Sequence, residues 1–452
     1  MREAVSPRQF EIGVVGLDPR GRRLARALAG HGLSVLACDG NAENMKALQD
    51  ETTGTPLPIE PCLHQFISKL RPIRTILLGG VNTTAEWFQE LLNKLEPEDL
   101  LIDLGNGHFR ESERLAARLT ACRIRYLGAA LIGWDEELNQ GLGVMVDGKP
   151  ETYRSVSPIL EMIAGSDGGE PWVHYLGAAP VGHFARMIHD GIEFGVMRVG
   201  LEICALLKHT LTLTDPELHS AIRSWPRQIM AGALCAEAAC WTSALGREWD
   251  APAPTLEAAA GVRRFSEFDR QNDIATASFR QPIGEFANDL ESVLQEMKGA
   301  MDAAVLITYA EGLSVMAAGA QGCGICIDTS DILALWRKCH SSRAFLLEQI
   351  ESVTRTAPEL PNLLFDDDLS EQVMLQQEQL RHAVWRASSQ HSAAPALAAS
   401  LDYLDNCRGA WMPVNLIEPH PRRHEPPMPR RPADPAHHLP GTIPPSARPD
   451  RW

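Results

Sequence analysis

The sequence lacks the features that mark membrane proteins and nucleic-acid-binding proteins. No run of about 18 consecutive apolar residues appears, so no membrane-spanning segment is expected. Basic residues are in the minority: 42 lysines and arginines stand against 58 acidic residues, and the formal net charge is −16. This balance leaves no broad basic surface to neutralise phosphates, which argues against a nucleic-acid partner. The N-terminus has no apolar signal-peptide core, which predicts a cytoplasmic protein.

Paired cysteines are also scarce. The chain has ten cysteines, but Cys323 and Cys326 form its single C-x-x-C pair. A structural zinc site needs four ligands at matching spacings, so one such pair does not indicate zinc. No other group of histidine, cysteine and acidic residues has ligand spacing, and we therefore expect no metal site.

The first part of the chain alternates between strand-like and helix-like segments. Apolar strands at residues 11–16 and 33–38 flank a helical pattern at residues 22–29, which makes a β-α-β unit. The alternation continues to about residue 178. It predicts a Rossmann-like α/β domain, in which helices cover a mostly parallel sheet.

Ligands of such sheets bind beyond the carboxyl ends of the strands. We expect Gly16, Gly79, Asn106 and Ile132 to lie at that edge, because each stands at or soon after the end of a predicted strand.

The glycine loop of the β-α-β unit departs from the dinucleotide-binding pattern. The loop runs from Gly16 to Gly21, but Asp18 stands at the second glycine position, where the backbone normally approaches a pyrophosphate. A carboxylate at this position adds bulk and like-charge repulsion. Asp39 follows the second strand, at about the distance expected for an acidic ribose ligand.

From about residue 179 the strand signals vanish. Helical patterns run over residues 182–207, 215–230, 281–313, 330–353 and 372–386. We therefore predict an N-terminal extension at 1–9, the Rossmann-like domain at 10–178, an all-helical domain at 179–417 and a tail at 418–452. The tail holds eleven prolines and no periodic pattern, so it is predicted to be extended or disordered.

One helical segment carries a group of polar side chains. Arg186, His189, Asp190 and Glu193 recur at spacings of three and four residues, which places them on one helix face. A solvated, ion-paired face is one interpretation of this pattern. An active-site helix is the other interpretation, and the neighbouring motifs favour it.

Residues 182–194 resemble the motif G-H-Y-x-K-M-V-H-N-G-I-E-Y of the 6-phosphogluconate dehydrogenase family, within the β-hydroxyacid dehydrogenase superfamily. Residues 103–106 resemble the family's D-G-G-N motif, and residues 412–417 resemble L-P-A-N-L-I. The resemblance covers about residues 10–417. It implies a Rossmann domain, a large helical domain and a homodimer whose C-terminal tails reach the partner subunit.

The resemblance also implies roles for the motif helix. The family's general base is a lysine at the position of Arg186, whose pKa above about 12 prevents it from accepting a proton at neutral pH. Arg186 can still clamp a carboxylate or a phosphate. The family's glutamate acid is retained as Glu193, and its histidine as His189. Asn106 of the D-G-G-N motif is retained as well, whereas the motif asparagine becomes Asp190.

The expected substrate pocket differs from that of the family. The S-G-G substrate loop becomes Ile132, Gly133 and Trp134, which exchanges a hydroxyl for an apolar group and a glycine for a large indole. The tyrosine that contacts the substrate phosphate becomes Phe194. The phosphate-binding K-G-T-G-K-W segment has no recognisable counterpart, and residues 261–266 stand roughly in its place.

The expected cofactor site differs too. The family's N-R-S/T segment, whose arginine holds the 2′-phosphate of NADP, reads Asp39-Gly40-Asn41 here, and an aspartate in this segment favours a 2′-hydroxyl. NADP binding in the family manner is therefore disfavoured. The alternatives are NAD, contacted by Gly16, Asp18, Gly21, Asp39 and Asn106, and no dinucleotide at all.

Three functions follow from the resemblance. The first is a repurposed enzyme acting on a different small anionic molecule in the inter-domain cleft, with Asp190 as a new base if its pKa is raised. The second is a non-catalytic pseudoenzyme, a binding or scaffold protein whose tail would recruit a protein partner. A working NADP-dependent, decarboxylating 6-phosphogluconate dehydrogenase of the pentose phosphate pathway is disfavoured, because base, cofactor and phosphate contacts are all altered.

Overall fold

The N-terminal part of the chain forms a seven-stranded sheet. The computed structural model describes residues 9–52, 57–80, 83, 85–133, 141–177, 180–222, 236–266, 289–340 and 343–409. The strands are β1 (Phe10–Val15), β2 (Val35–Cys38), β3 (Leu70–Leu78), β4 (Leu100–Asp103), β5 (Arg125–Ile132), β6 (Gly143–Gly148) and β9 (Val173–Gly177), with β7 (Ser166–Asp167) and β8 (Glu170–Pro171) as a separate hairpin. The sheet order is β2-β1-β3-β4-β5-β6-β9, and only the β5–β6 pair is antiparallel. The predicted mostly parallel sheet is confirmed.

Helices cover both faces of this sheet. They are α1 (Pro19–Gly30), α2 (Ala42–Glu51), α3 (Leu63–Lys69), α4 (Glu86–Asn93), α5 (Phe109–Ala121) and α6 (Pro150–Ile163). Helices α1, α2 and α6 pack into one apolar layer, and α3, α4 and α5 into the other. Strands such as β2 and β4 are buried along their whole length. Their near-continuous apolar runs are typical of a sheet that is covered on both faces.

The carboxyl ends of the parallel strands meet at one edge, as predicted. Gly16 follows β1, Gly79 follows β3, and Asn106 lies three residues beyond β4, while Ile132 ends β5. These four strands are neighbours in the sheet, so the residues after them line a common edge.

The second part of the chain is helical, and no strand occurs among its described residues. The helices are α7 (Val181–Leu211), α8 (Asp215–Ala221), α9 (Ala236–Glu248), α10 (Pro254–Ser266), α11 (Leu290–Cys323), α12 (Thr329–Cys339), α13 (Ala344–Thr356), α14 (Asp367–Ser389) and α15 (Pro395–Arg408), with a 3-10 turn at Leu363–Phe365. The predicted all-helical domain is confirmed over these residues. The predicted tail at 418–452 and extension at 1–8 lie outside the described part of the chain.

One predicted helix was wrong. The segment 330–353 is not continuous, since α12 ends at Cys339 and α13 begins at Ala344. His340 and Arg343 flank the break with non-helical backbone angles. The sequence has serines at 341 and 342, a residue type with lower helix propensity than alanine or leucine.

Helices α7 and α11 form the centre of the helical domain. Helix α11 is 34 residues long and, by length and apolar composition alone, could cross a membrane. However, 83% of its most apolar window is buried inside the protein, which is typical of a core helix.

The apolar core crosses the predicted domain boundary at residue 178. Phe109, Ile132, Met145 and Trp172 of the sheet domain belong to the same buried cluster as α7 and α11. Residues up to Asp405 accordingly form one compact unit.

Candidate functional site

The first half of α7 is seated directly on the sheet. Gly182 donates its backbone N–H to Oδ2 of Asp147 at 2.8 Å, and a Cβ at this glycine would lie 2.6 Å from the carbonyl oxygen of Met145. Only glycine permits so close an approach, which places the following residues of α7 in the interior.

His183 lies between two carboxylates of the sheet. Its ring nitrogens are 3.5 Å from Oδ2 of Asp103 and 3.7 Å from Oδ2 of Asp147, and the ring is almost completely buried. Burial alone would lower the pKa of His183, but the two carboxylates raise it to about 9. Asp103 also accepts hydrogen bonds from Ser112 and Tyr126, so this ionic contact is part of a larger network.

Arg186 is bound by groups of its own chain. Its Nε donates to Oδ2 of Asp190 at 3.0 Å, and its Nη2 donates to the same oxygen. Nη1 and Nη2 also donate to the carbonyl oxygens of Gly105 and Asn106 at 3.3 and 3.4 Å. The expected carboxylate clamp is therefore present, but the carboxylate is that of Asp190. The interpretation of this face as solvated was wrong, since Arg186 is only 3% exposed.

Asp190 does not have the environment of a general base. Burial alone would raise the pKa of its carboxyl group, but Arg186, His189 and Arg20 together hold that pKa below its ordinary value. The sequence-based condition for Asp190 as a base, a raised pKa, is therefore contradicted. The physical reason is the guanidinium beside it, which stabilises the charged form.

His189 links Asp190 to a residue 151 positions further along the chain. Its Nδ1 lies 3.0 Å from Oδ1 of Asp190, and its Nε2 lies 2.7 Å from Nε2 of His340. The indole of Trp336 packs edge-on against the imidazole of His189. Burial lowers the pKa of His340 to about 3, so this ring is neutral.

Glu193 is held in its ionised form. Its Oε1 accepts a hydrogen bond from the Tyr309 hydroxyl at 3.0 Å, and its Oε2 accepts one from Arg343. Burial alone would raise the pKa of Glu193, but the charged groups around it, first of all Arg343, lower it to about 2. A carboxyl group with this pKa is not a proton donor at neutral pH.

The sequence signalled neither Tyr309 nor Arg343 nor His340 as a site residue. They come from α11 and from the break after α12, more than 100 residues from Glu193, and no local pattern marks them.

His189, Glu193 and His340 bring their ligand atoms within 4.8 Å of one another. This grouping could hold a metal ion, and sequence spacing did not predict it. All three side chains already have partners within the chain.

Among the described substrate-pocket residues, Ile132 and Phe194 belong to different apolar clusters. Ile132 is buried at the end of β5, and Gly133 has a φ of 81° and packs close to Cys339. Phe194 is buried in an apolar cluster with alanines of α9 and α10, and its assignment to the pocket stays a prediction. Trp134 lies outside the described residues, as do the side chains of the two arginines at 263 and 264.

The glycine loop holds an internal anion. Gly16 has a φ of 86°, which suits a tight turn, and Asp18 caps the N-terminus of α1. The Asp18 carboxylate accepts hydrogen bonds from the backbone N–H groups of Gly21 at 2.8 Å and Gly80 at 3.3 Å. These two N–H groups are thus engaged by a carboxylate of the chain itself, at a helix N-terminus that would otherwise suit a phosphate.

Comparisons with known proteins agree over nearly the whole chain. Residues 11–177 match the NAD binding domain of 6-phosphogluconate dehydrogenase, and residues 182–237 and 228–420 match the C-terminal domain of 6-phosphogluconate dehydrogenase. The decarboxylating 6-phosphogluconate dehydrogenase of Synechocystis sp. is 26% identical, with 90% of this chain and 92% of that protein covered. The NADP(+)-dependent, decarboxylating enzyme of Bacillus subtilis is 27% identical, with 90% and 94% covered.

A solved structure has the same fold. The chain superposes on Plasmodium falciparum 6-phosphogluconate dehydrogenase with a TM-score of 0.77 at 22% identity, covering 90% of this chain and 94% of that one. Together with the sequence matches over both parts of the chain, this likeness accounts for the order of the sheet and helical parts and for the position of α7. The chain therefore belongs to the 6-phosphogluconate dehydrogenase family.

Proposed function

We propose that this chain is a diverged family member that binds a small acid beside the first half of α7 and does not perform the family's base-assisted oxidation. The observation that carries this proposal is the Arg186–Asp190 pair. Arg186 cannot accept a proton, and it directs two of its nitrogens onto the neighbouring carboxylate. Asp190 is thereby kept charged and paired instead of being prepared for proton transfer.

The protonation step that the family resemblance implies is also disfavoured in this chain. Glu193 would have to donate a proton to the enediol, but Arg343 and Tyr309 stabilise its carboxylate form. The relatives are named as decarboxylating dehydrogenases. The same reaction in this chain would need both groups to leave their partners first.

A small acid is the ligand class that suits this site. The Arg186 fork already holds one carboxylate, and Arg20 is near enough to lower the pKa of Asp190. A ligand carboxylate that competes with Asp190 would meet the same planar pair of donors. The side chains of α7 are thus arranged for anion binding even without a proton acceptor.

Two measurements test the proposal. A steady-state assay with 6-phosphogluconate and NADP should show no NADPH formation above background, and turnover at about 1–1000 per second would contradict the proposal.

Calorimetric titration with 6-phosphogluconate, gluconate and smaller hydroxy acids should find saturable binding of at least one acid. Binding should be lost in Arg186→Gln and kept in Arg198→Gln, a control on the same helix that removes a partly exposed arginine.

A repurposed enzyme is the second candidate, and the Asp190–His189–His340 chain favours it. A carboxylate that orients an imidazole is a common arrangement for a general base. Incubation with the acids that bind, followed by NMR of the products, would detect turnover. Conversion that disappears in His189→Asn would favour the enzyme over the binding protein.

The assembly and the location of the protein are further proposals. Family membership supports a homodimer, and analytical ultracentrifugation would test it. A protein partner of the tail would be tested by comparing capture by the full chain and by a chain that ends at residue 417. Cytoplasmic location would be tested by cell fractionation.

A further inference from the structure

We infer that Asp18 is an internal substitute for the phosphate of a dinucleotide, so that the Rossmann domain binds neither NAD(H) nor NADP(H). This inference goes beyond the proposed function, which concerns the site beside α7. The two are separable, because dinucleotide binding can be measured without any substrate turnover.

The Asp18 carboxylate uses the donors on which a phosphate depends. The N-terminus of a helix attracts anions through its unpaired N–H groups and its positive dipole end. In α1, Asp18 itself is the N-cap and accepts the N–H of Gly21, the third residue of the helix. The first helical residue is Pro19, which has no N–H to offer. Both features reduce the number of backbone N–H groups that the N-terminus of α1 can donate to a bound phosphate.

The segment after β3 also contacts the Asp18 carboxylate. Gly80, which follows β3, donates its N–H to Asp18 Oδ1, and a Cβ at Gly80 would collide with the Asp18 carboxylate. The neighbouring Gly79 packs so closely that its Cβ would lie 2.5 Å from the carbonyl oxygen of Gly16. The glycines therefore still permit a close approach, but the group that approaches is the protein's own side chain.

Asp39, the residue expected to bind the ribose, is also hydrogen-bonded within the chain. Oδ2 of Asp39 accepts hydrogen bonds from the Leu17 N–H at 2.5 Å and the Asn44 amide at 3.1 Å. Its Oδ1 accepts the Asn41 N–H at 2.7 Å. An ionised carboxylate can accept about four hydrogen bonds. Asp39 already accepts three, from Leu17, Asn41 and Asn44.

The adjacent cavity has the wrong charge for a dinucleotide. Its volume is about 330 Å³, and Asp18, Asp103 and Glu111 contribute to its lining. Among the described residues that line it, none is a lysine or an arginine. A pyrophosphate in this space would be repelled by the Asp18 and Glu111 carboxylates of the lining.

Fluorescence and calorimetric titrations of the full chain with NADH and NADPH test the inference. The wild-type protein should show no saturable binding up to about 1 mM. Asp18→Gly should gain affinity for at least one dinucleotide by about tenfold or more, because it returns both backbone donors to the ligand. Asp18→Asn keeps the volume and the helix cap but removes the charge, so it should gain less than Asp18→Gly.

Asp328→Gly is the matched control, since Asp328 caps α12 through two backbone N–H groups away from the glycine loop. It should lose a comparable cap without gaining affinity. Micromolar binding by the wild type would overturn the inference and leave the proposed function untouched. The inference would also fail if the Asp18 variants keep a wild-type circular dichroism spectrum and bind no better. Should Asp18→Gly not fold, Asp18→Asn and the wild-type titration decide the question.

Discussion

Arg186 and Asp190 show how one buried cation controls the chemistry of its neighbours. Both lie on α7, one turn apart, and the guanidinium contacts one carboxylate oxygen while His189 contacts the other. In the interior, each charge depends on its partner because water no longer solvates it. Loss of the carboxylate alone is therefore expected to be costly.

We expect Asp190→Ala to lower the free energy of unfolding by about 3–5 kcal/mol, since it leaves Arg186 buried without its carboxylate. The double variant Arg186→Met/Asp190→Leu should lose less, because neither charge remains. Asp302→Ala is the control, as its pair with Lys298 is exposed and should contribute at most about 0.5 kcal/mol. Denaturant titration gives all three values. A loss below about 1 kcal/mol in Asp190→Ala would show that Arg186 does not depend on this carboxylate.

His183 should make stability depend on pH. Its pKa is raised from 6.5 to about 9 in the folded chain by Asp103 and Asp147. A raised pKa stabilises the fold fully below the unfolded value, and that contribution is lost as the pH rises through the folded value. We expect the free energy of unfolding to fall by on the order of 1–3 kcal/mol between about pH 6.5 and pH 9.

His183→Gln should flatten this part of the stability profile. The exposed His219 offers a control, and His219→Gln should leave the profile unchanged. The same pH-dependent loss in His183→Gln and in the wild type would show that another group titrates.

Helix α7 depends on close contacts with its neighbours. A Cβ at Gly191 would lie 2.9 Å from Cβ of Thr242 on α9, and a Cβ at Gly312 of α11 would meet the side chain of Ile192. These glycines allow the helices to approach until their side chains interlock. The positions of Arg186, His189 and Glu193 follow from this packing, because α7 can be rotated or shifted little within it.

We expect Gly191→Ala to lower the free energy of unfolding by about 1–3 kcal/mol through overpacking against α9. Gly261 on α10 provides the opposite case, because it is exposed and a Cβ added there would have no neighbouring atom within 4 Å. Gly261→Ala should therefore raise the free energy of unfolding by about 0.5–1 kcal/mol. Thermal unfolding measures both, and equal effects of the two substitutions would contradict the packing argument.

One of the buried apolar clusters is shared between the sheet and helical parts of the chain. Phe109, Ile132, Met145 and Trp172 of the sheet part are buried against the helices that follow. The electrostatic contact of His183 with Asp103 joins the same two parts. The boundary at residue 178 separates two patterns of secondary structure, but this cluster of buried residues crosses it.

A fragment of residues 1–178 should therefore expose an apolar surface. We expect it to bind the dye ANS strongly and to melt at a lower temperature than the full chain, because the shared cluster loses its helical half. The full chain is the control and should bind little dye. A fragment that melts at the temperature of the full chain and binds no dye would show that the sheet part has a sufficient core of its own.

The sequence by itself determined the local elements and their order. Apolar strands with helices between them predict a parallel sheet, and the motif around Arg186 marks α7, because these signals depend on neighbouring residues. The identity of Arg186 also determined that no proton acceptor stands at that position, since a guanidinium keeps its charge in any fold. Asp18 was recognisable as a departure from the glycine pattern, although not as a cap on two backbone N–H groups.

Only the tertiary structure decided the partners of these groups. His340 and Arg343 reach α7 because the predicted helix at 330–353 is broken, and they set the environments of His189 and Glu193. Long-range contacts of this kind leave no local signal in a sequence. The pKa of a buried carboxyl group depends on such contacts, since charge and burial shift it in opposite directions. Packing across the chain therefore paired Glu193 with Arg343, brought His340 to His189 and placed Phe194 in an apolar cluster.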